Sequence, residues 1–274
     1  MSALAPAAPS GASGTPGTPS RARLVRTARA LVVPILVLIL WRIAVARHWV
    51  NPLLLAPPER VITRAITEVQ EGEVFSQLWA SVRRDLLGFG LGTFLGILVG
   101  GLMGVSRLAD RVLGPTFHAF KQVAIFAWIP LMSVWLGTGE PAKVVFIALA
   151  AFYPIVQSTY EGVRSVSREH IEVARVFRFT PLQLARRVIL PGAAPSIFAG
   201  VHLALFYAWL ATLGAEYLLA ADAGIGNLMI DGREQFAMDK VLLGVIVAGA
   251  VGALLNTLAN LIEQRTLRWR VRGL

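Results

Sequence analysis

Stretches of apolar residues, each about as long as a lipid bilayer is thick, recur along this chain of 274 residues. A helix needs roughly 20 mostly apolar residues to cross the hydrocarbon core, and within that core it satisfies its backbone hydrogen bonds internally. The stretches therefore predict an all-α polytopic membrane protein with six transmembrane helices. We expect these spans at about 30–47, 85–105, 116–136, 142–159, 196–219 and 241–262.

The composition excludes several other classes of protein. Hydrophobic residues make up 55% of the chain and charged residues only 15%, which is too little charge for the surface of a soluble domain of this length. The net charge of +10 does not indicate a nucleic-acid partner, because the basic residues lie between the apolar stretches. With no cysteine and four scattered histidines, the sequence offers no disulfide, no thiol nucleophile and no convincing metal site.

The two ends of the chain differ from the spans. Residues 1–29 begin with a stretch made almost entirely of Ala, Pro, Ser, Gly and Thr and end in four arginines, which predicts a disordered tail with a basic end. The following run is similar to a signal peptide, yet it is long for a signal core and Trp41 and Arg42 interrupt it. We therefore expect it to remain as the first span. Residues 263–274 predict a second basic tail.

Five glycines recur at intervals of four residues along the second predicted span. They are Gly88, Gly92, Gly96, Gly100 and Gly104. This spacing places small residues along one stripe of a helix, where another membrane helix can approach closely. The stripe predicts helix packing, and we favour a contact within the chain over a direct role in a dimer interface.

The segment 164–195 is more polar than the spans on either side and predicts two short helices around a break. The first, Arg168–Arg178, brings Arg168, Glu172 and Arg175 within reach of one another at spacings of three and four residues. Thr180 is a favourable N-cap and Pro181 suits the first helical position, so a second helix should run from there to about Ile189. That second helix is amphipathic.

This segment resembles the EAA motif in the permease subunits of bacterial ABC importers. The likeness rests on Glu172-x-Ala174, a turn, and then Ile189-Leu190-Pro191. With the preceding run TGEPAKVVFIALAAFYPIVQSTYEGVRSV, it resembles the permeases of the sulfonate, taurine and nitrate import family, most specifically over Glu140–Leu213. Arg178 departs from the family pattern, which has glycine there. A left-handed turn costs arginine about 1 kcal/mol, so either the turn differs locally or Arg178 contacts a partner.

The resemblance implies the fold of the type I ABC importer permeases, with segment 164–195 coupling the chain to a cytoplasmic ATPase subunit. The coupling residues that it implies are Glu172, Ala174, Arg178, Thr180, Pro181, Leu182, Gln183, Arg186, Arg187, Leu190 and Pro191. It also implies a periplasmic substrate-binding protein and a second permease copy, giving a homodimer. The arginines have a second explanation, because membrane topology alone would select them.

The distribution of basic residues predicts how the chain lies in a bacterial inner membrane. Seventeen of the 26 Lys and Arg residues lie in segments on the same side as 164–195, and eight lie on the other side. The positive-inside rule therefore places segment 164–195 and both termini in the cytoplasm.

The sequence predicts no catalytic activity for this chain. It contains no G-x-x-x-x-G-K-[ST] phosphate loop, no G-x-S-x-G elbow and no H-E-x-x-H pair. We expect no cofactor in the chain itself, and ATP with Mg²⁺ on the partner ATPase, as the resemblance implies.

Three polar residues near the ends of spans are candidates for the translocation path: Lys121, Gln122 and Glu216. An anionic substrate could pass Lys121 and Gln122, although the positive-inside bias also explains the lysine. For Glu216 we favour hydrogen-bonded packing over a role in the path. His202 and Asn256 are expected to hydrogen-bond between helices.

The leading hypothesis is a permease subunit that forms the pathway for a small anionic solute such as a sulfonate, taurine or nitrate. The alternatives are a secondary transporter or channel that works alone, and a membrane scaffold. Stand-alone transporters typically carry charged residues at mid-membrane, whereas these spans are apolar near their middles. The substrate itself is not encoded in a recognisable motif.

Overall fold

The computed structural model describes residues 19–51, 54–219 and 223–267, with side chains from residue 32 onward. The outer parts of the two predicted tails, 1–18 and 268–274, lie outside the described residues. Every element in the described part is helical. The α-helices are α1 (Pro19–Ala46), α2 (Pro58–Gln70), α3 (Glu73–Val105), α4 (Arg107–Lys121), α5 (Ile129–Leu136), α6 (Glu140–Arg164), α7 (Arg168–Val176), α8 (Pro181–Leu184), α9 (Leu190–Leu218), α10 (Ile225–Glu234) and α11 (Met238–Thr266).

The chain divides into two compact units after Pro52. The first unit contains α1, whose apolar stretch Val32–Ala46 overlaps the first predicted span. Large apolar side chains of this stretch are exposed, including Val33 at 67% and Leu36 at 59%. An apolar, exposed helix of this kind suits contact with lipid.

The second unit, from residue 53 on, is a bundle of long helices. Four helical stretches in it are long and apolar enough to cross a membrane, namely 73–105, 140–164, 181–218 and 238–266. The helix that contains the second predicted span begins at Glu73, twelve residues before the predicted boundary at 85. The apolar pattern set that boundary, but the same helix extends further back, and of the polar residues before it Ser81 and Arg84 are buried while Glu73 and Arg83 are exposed.

The stretch predicted as one span at 116–136 is a bent pair of helices. α4 ends at Lys121, a short 3₁₀ turn follows at Ile125–Trp128, and the two halves meet at 95°. Pro130 stands in the first turn of α5, where its missing N–H costs no helical hydrogen bond. Apolar length predicted the element but could not reveal the bend.

The glycine stripe of α3 packs against α6. A Cβ atom added at Gly88 would lie 2.6 Å from the Cβ of Ile147, and one added at Gly96 would lie 2.6 Å from the Cγ2 of Ile155. Gly92, Gly100 and Gly104 meet α6 in the same way. The predicted contact within the chain is confirmed, since these helices approach so closely that no larger residue fits between them.

α6 is the central helix of the bundle, because α9 covers its other side. Gly162 and Gly200 lie at this second interface, where an added Cβ would lie 2.8 Å and 2.5 Å from the Cβ atoms of Ser196 and Ser158. Phe146, at 0% exposure, belongs to the core that α6 and α9 share. We call the end of the bundle where α6 begins the α10 end, and the end where α6 stops and α7 follows the α7 end.

The second predicted helix of segment 164–195 does not stop at Ile189. It continues through a π-helical turn at Ala185–Ile189 into α9, giving one helical stretch of 38 residues from Pro181 to Leu218. The prediction that this helix ends at about Ile189 is therefore wrong, and Pro191 lies inside the continuous helix. A proline ring normally clashes with the carbonyl one turn earlier, and the wider turn just before Pro191 relieves that clash.

The connection predicted at 220–240 contains a packed helix rather than only a polar loop. α10 buries Ile225 and Leu228, at 1% and 2% exposure, and it packs against α9 and α11. α2 is amphipathic and packs against α3 and α11. One face of α2 is thus covered by protein.

α2 carries a buried acidic residue, Glu68, at 2% exposure. Its carboxylate lies 3.0 Å from Arg64 one turn earlier. Burial is the main reason that the pKa of Glu68 is raised from its usual range, a hydrogen bond with Glu73 adds to this, and Lys240 and Arg64 oppose it.

Candidate functional site

Three places bring the predicted site residues together: the α7 end, a cavity near the middle of the bundle, and the α10 end. At the α7 end, Ala174 is buried at 4% exposure, while Glu172 is exposed. Among the described residues, Glu172 forms no ion pair with Arg168 or Arg175. Its carboxylate is therefore available to a partner.

Arg178 adopts the left-handed conformation that the family's glycine would favour. Its φ is +53°, its N–H donates to the carbonyl of Arg175 at 2.9 Å, and the N–H of Phe179 donates to the carbonyl of Ala174 at 3.1 Å. These bonds close the end of α7. The left-handed turn is thus retained with arginine in it. The expectation of a locally different turn is therefore not met.

The start of the next helix is capped by Thr180, as the sequence predicts, and the cap is reciprocal with Gln183. The N–H of Gln183 donates to Oγ1 of Thr180 at 3.3 Å, and the N–H of Thr180 donates to Oε1 of Gln183 at 2.9 Å. Pro181 takes the first helical position. Two donors that would otherwise lack partners are satisfied, so the helix start is fixed.

Large apolar side chains project from this end of the bundle. Val176 is 80% exposed, Phe177 is 73% exposed and Leu182 is 61% exposed. Phe177 also lines a cavity of about 780 Å³, whose wall includes Ala174, Arg187 and Pro191. An exposed apolar surface next to unpaired charges is typical of a protein contact.

The remaining predicted coupling residues lie on the same surface. Arg186 and Leu190 are exposed. The guanidinium of Arg187 lies over the ring of Phe179, 5.8 Å from its centre. Arg187 therefore helps to hold the turn after α7 against the following helix, through an attraction between its charge and the aromatic face.

The second place is a cavity of about 390 Å³ beside the middle of α6 and α9, where α4 ends. Lys121 and Gln122 line it, as do Gln157 and Tyr153 from α6 and Tyr207 from α9. Nζ of Lys121 donates to Oε1 of Gln157 at 3.2 Å. The structure thus places two of the three predicted path residues in one cavity.

The third predicted path residue, Glu216, lies elsewhere, in a buried cluster at the α10 end. It is 2% exposed and forms a buried ion pair with Arg84, which is 1% exposed. Its Oε1 accepts a bond from Oγ of Ser81 at 2.7 Å, and its Oε2 accepts one from the N–H of Gly226 at 2.8 Å. The contacts favour the predicted packing role over a role in the path.

Arg84 joins four parts of the chain. Besides Glu216 of α9, its guanidinium binds both carboxylate oxygens of Glu140 at the start of α6 and donates to the carbonyl of Ala223 at 3.2 Å. Arg84 itself belongs to α3. A planar guanidinium can serve several acceptors at once, and here it binds Glu140, Glu216 and the carbonyl of Ala223 together.

Other charged residues surround this cluster. Asp85 is 0% exposed and accepts a hydrogen bond from Oγ1 of Thr212 at 3.0 Å. Lys143, also 0% exposed, interacts electrostatically with Glu140 and Glu216. Buried charges of this kind are stable only when they are paired and hydrogen-bonded.

The cluster around Arg84 was not predicted from the sequence. Arg84 was included among the basic residues between spans, although its position next to an apolar stretch was a usable signal. Arg84 lies just before the predicted span 85–105 and Glu216 lies near the end of the span 196–219, so both are expected at the same face of the membrane. Opposite charges at one face could have indicated a contact.

The interhelical hydrogen bond predicted for His202 is present. Its Nε2 lies 2.8 Å from a carboxylate oxygen of Glu263, which joins α9 to α11. Asn256 lines a small cavity of about 100 Å³ beside His202. Among the described residues, no three His, Asp or Glu side chains are grouped as a metal site would require.

The fold and these surfaces define a class: a helical, multi-pass transport protein with a partner-binding segment at one end. Comparison with known families agrees. Residues 92–268 match the family described as the binding-protein-dependent transport system inner membrane component. The match covers well over half of the chain, and the chain belongs to this family, the permease subunits of ABC importers. Membership implies an ATPase and a substrate-binding protein as partners, and a place in the inner membrane.

Relatives with assigned names support the same membership. The chain is 34% identical over 242 residues to a putative aliphatic sulfonates transport permease, SsuC, of Bacillus subtilis, covering 88% of this chain and 87% of that protein. Its identity to the SsuC protein of Escherichia coli is 35%, with 86% and 89% covered. Its identity to a bicarbonate transport system permease, CmpB, of Synechococcus elongatus is 35%, with 71% and 70% covered.

Solved structures show the same fold. A chain of the inward-facing methionine ABC transporter MetNI matches with a TM-score of 0.60 at 18% identity, covering 70% of this chain and 95% of that one. A chain of an amino acid ABC transporter matches with a TM-score of 0.57 at 15% identity, covering 73% and 97%. The fold is therefore that of the type I ABC importer permeases.

Proposed function

We propose that this permease imports a small anion, with an ATPase subunit docked on the α7 end. The observation that carries the proposal is the exposed apolar surface of Val176, Phe177 and Leu182, beside the unpaired carboxylate of Glu172. A soluble partner that covers these side chains would remove them from water, which is favourable.

The helix behind this surface suits the transmission of motion. The stretch from Pro181 to Leu218 is helical throughout its 38 residues, so it extends about 57 Å at 1.5 Å per residue. It begins at the docking surface, passes the central cavity and reaches the buried cluster at the α10 end. A displacement of Leu182 by the ATPase would therefore move the cavity wall as a nearly rigid body.

The remaining assignments form part of the same proposal. ATP and Mg²⁺ bind on the ATPase, and this chain performs no catalysis. A second copy of the chain completes the pathway. The excess of basic residues supports an orientation with the α7 end and both termini in the cytoplasm, so that a binding protein delivers the solute at the α10 end.

The relatives support an anionic substrate. The named SsuC proteins are assigned to aliphatic sulfonates and the CmpB protein to bicarbonate. Sulfonates and bicarbonate are both small anions with a single charge. We propose that this chain transports a solute of that class, with the binding protein selecting among its members.

Charged substitutions in the apolar surface test the ATPase contact. Phe177→Asp combined with Leu182→Asp should abolish co-purification of the cognate ATPase with the permease, because a carboxylate would be buried without a partner. Phe236→Asp is the matched control, since Phe236 is 77% exposed at the α10 end. Equal recovery of the ATPase with both variants would contradict the proposed contact, and solute flux by the purified chain alone would favour a stand-alone transporter.

A further inference from the structure

We propose that the cavity around Lys121 is a subsite that binds the anionic group of the solute during its passage, with the Lys121 ammonium as counter-charge and Gln157 as the residue that positions it. The inference rests on the proposed function and names a binding site within it. The cavity is about 390 Å³, within the roughly 300–1,000 Å³ of small-molecule sites.

The cavity lies where a solute crossing the bundle would pass. Its lining comes from the bend after α4, from Ala150–Gln157 in the middle of α6 and from Leu203–Ala211 in the middle of α9. The two halves of the bent pair meet at 95°, and at the end of α4 the Lys121 side chain reaches Gln157 of α6. The sequence predicts Lys121 near the end of a span, whereas in the structure it lies beside the middle of α6 and α9.

Within the part of the chain that the structure describes, the charge of Lys121 has no direct counter-ion. Among the described residues, no carboxylate lies within 4 Å of its Nζ, which instead donates to the amide oxygen of Gln157. Arg84, the cation at the α10 end, is held between two carboxylates. Lys121 thus lines the cavity as an exposed cation without a carboxylate partner, and a cation beside the middle of membrane-spanning helices indicates a functional role by default.

Gln157 has its amide oriented by a second contact. Its Nε2 donates a close hydrogen bond to Glu161, one helical turn along α6. Because the amide nitrogen is used in this way, the amide oxygen faces Lys121. Lys121, Gln157 and Glu161 thus form a chain of hydrogen bonds that holds the ammonium at the cavity wall. The Gln157 amide stands between the ammonium and the carboxylate of Glu161.

The rest of the wall is apolar and aromatic, with Phe126, Tyr153, Tyr207 and Leu210 among the lining residues. Lys121 is itself exposed, so its ammonium is accessible to an anion in the cavity, and the apolar wall strengthens their attraction relative to bulk water. The tyrosine hydroxyls add hydrogen-bond donors for oxyanion oxygens. The cavity thus suits a singly charged oxyanion with or without a short apolar tail.

Equilibrium binding to the purified full-length permease in lipid nanodiscs tests the subsite. The probes are radiolabelled ethanesulfonate, nitrate and bicarbonate at constant ionic strength, with dimethyl sulfone as a neutral probe. Lys121→Gln should weaken binding of the anion that binds best by about tenfold or more, since a charge-assisted hydrogen bond is lost. Lys121→Arg should retain most of it, and the neutral probe should not distinguish the variants.

Arg111→Gln is the matched control, because Arg111 is an exposed cation on the same helix α4 and does not line the cavity. Unchanged binding in this variant supports a local site. Equal weakening in Lys121→Gln and Arg111→Gln would show only a general effect of positive charge and would overturn the subsite. Absence of binding of all three anions to the wild type would overturn it as well.

The positioning role of Gln157 requires a separate readout. Gln157→Leu should weaken anion binding less than Lys121→Gln does. Gln157→Asn should weaken binding about as much as Gln157→Leu does, because the shorter side chain cannot reach both neighbours. The double variant with Lys121→Gln should show no further loss, because both changes act through one ammonium. Additive losses would overturn this role.

Uptake by the assembled importer in liposomes separates this inference from the proposed function. With the ATPase and binding protein present, Lys121→Gln should raise the KM for uptake while ATP-dependent uptake persists. Lys121-dependent binding without any ATP-dependent uptake by the wild type would contradict the proposed function and leave the subsite standing. Normal ATP-dependent uptake with an unchanged KM in Lys121→Gln would contradict the subsite and leave the proposed function standing.

Discussion

The two ends of the bundle treat charge in opposite ways. At the α10 end, Arg84, Glu216 and Asp85 are buried and held by one another or by hydroxyl and backbone groups. At the α7 end, Glu172 and Arg186 are exposed, and apolar side chains stand beside them. One end is closed by its own contacts and the other offers its groups to a partner. α9 and the helical turns before it connect the two.

The largest expected effect is the loss of the cation at the closed end. Arg84→Met leaves Glu216 buried without its counter-charge, which should destabilise the protein by about 3–5 kcal/mol. Thermal unfolding of the purified permease measures this. Arg83→Met is the control, because Arg83 is the exposed neighbour on the same helix. Similar losses in the two variants would show that the cluster contributes little.

A second pair of variants compares how tightly the two ends are packed. A Cβ atom added at Gly226 would lie 2.5 Å from the Cβ of Glu216, whereas one added at Gly192, at the α7 end, would lie 3.1 Å from a methyl group of Val166. Gly226→Ala should cost about 1–3 kcal/mol through overpacking. Gly192→Ala should be nearly neutral, because a helical alanine offsets a small shift of the valine.

The same thermal unfolding measurement decides between these outcomes. If Gly192→Ala destabilised the protein as much as Gly226→Ala does, the α7 end would be as closely packed as the α10 end. The difference between the ends would then lie in exposure alone.

Burial of charge at the α10 end also predicts a dependence on pH, through Glu68 of α2. Because burial raises the pKa of Glu68 above its unfolded value, the folded protein holds this proton more tightly. The resulting stability is fully present below the unfolded pKa and is lost as the pH rises through the raised folded pKa. Glu68→Gln should weaken the pH dependence of the unfolding temperature across that window. Glu71→Gln, at an exposed neighbouring position, should leave this pH dependence unchanged.

The smallest expected effect concerns Arg178 at the α7 end. Arg178→Gly should stabilise the protein by up to about 1 kcal/mol, because glycine adopts the left-handed turn without strain. Arg178→Ala removes the charge but keeps the strain, so it separates the two effects. Weaker co-purification of the ATPase in both variants would show that the arginine contacts the partner, whereas unchanged co-purification would assign it to the turn alone.

Local signals in the sequence predicted several features correctly. The Thr180 cap, the proline after it and the glycine stripe each depend on neighbours within a few residues, and the structure contains all three. Their physical causes, hydrogen bonds to nearby amides and the size of a side chain on one helix face, can be seen in the residue types themselves.

Local signals could not predict the features that depend on contacts between distant parts of the chain. The pairing of Arg84 with Glu216 joins residues 132 positions apart, and the bend after Lys121 depends on how α4 packs on α3 and α5 packs on α6. The position of Pro191 inside a continuous helix was predicted wrongly, because proline usually marks a helix end. Tertiary contacts decided each of these cases.

The π turn at Ala185–Ile189 has a consequence for the direction in which the α7 end faces. A π turn holds one residue more than an α turn, so it offsets the angular register of everything before it by about 100° relative to a regular helix. The azimuth of Leu182 about the axis of α9 is therefore set by that single additional residue. An evolutionary insertion or deletion within these five residues would redirect the surface around the helix axis without altering any side chain on it.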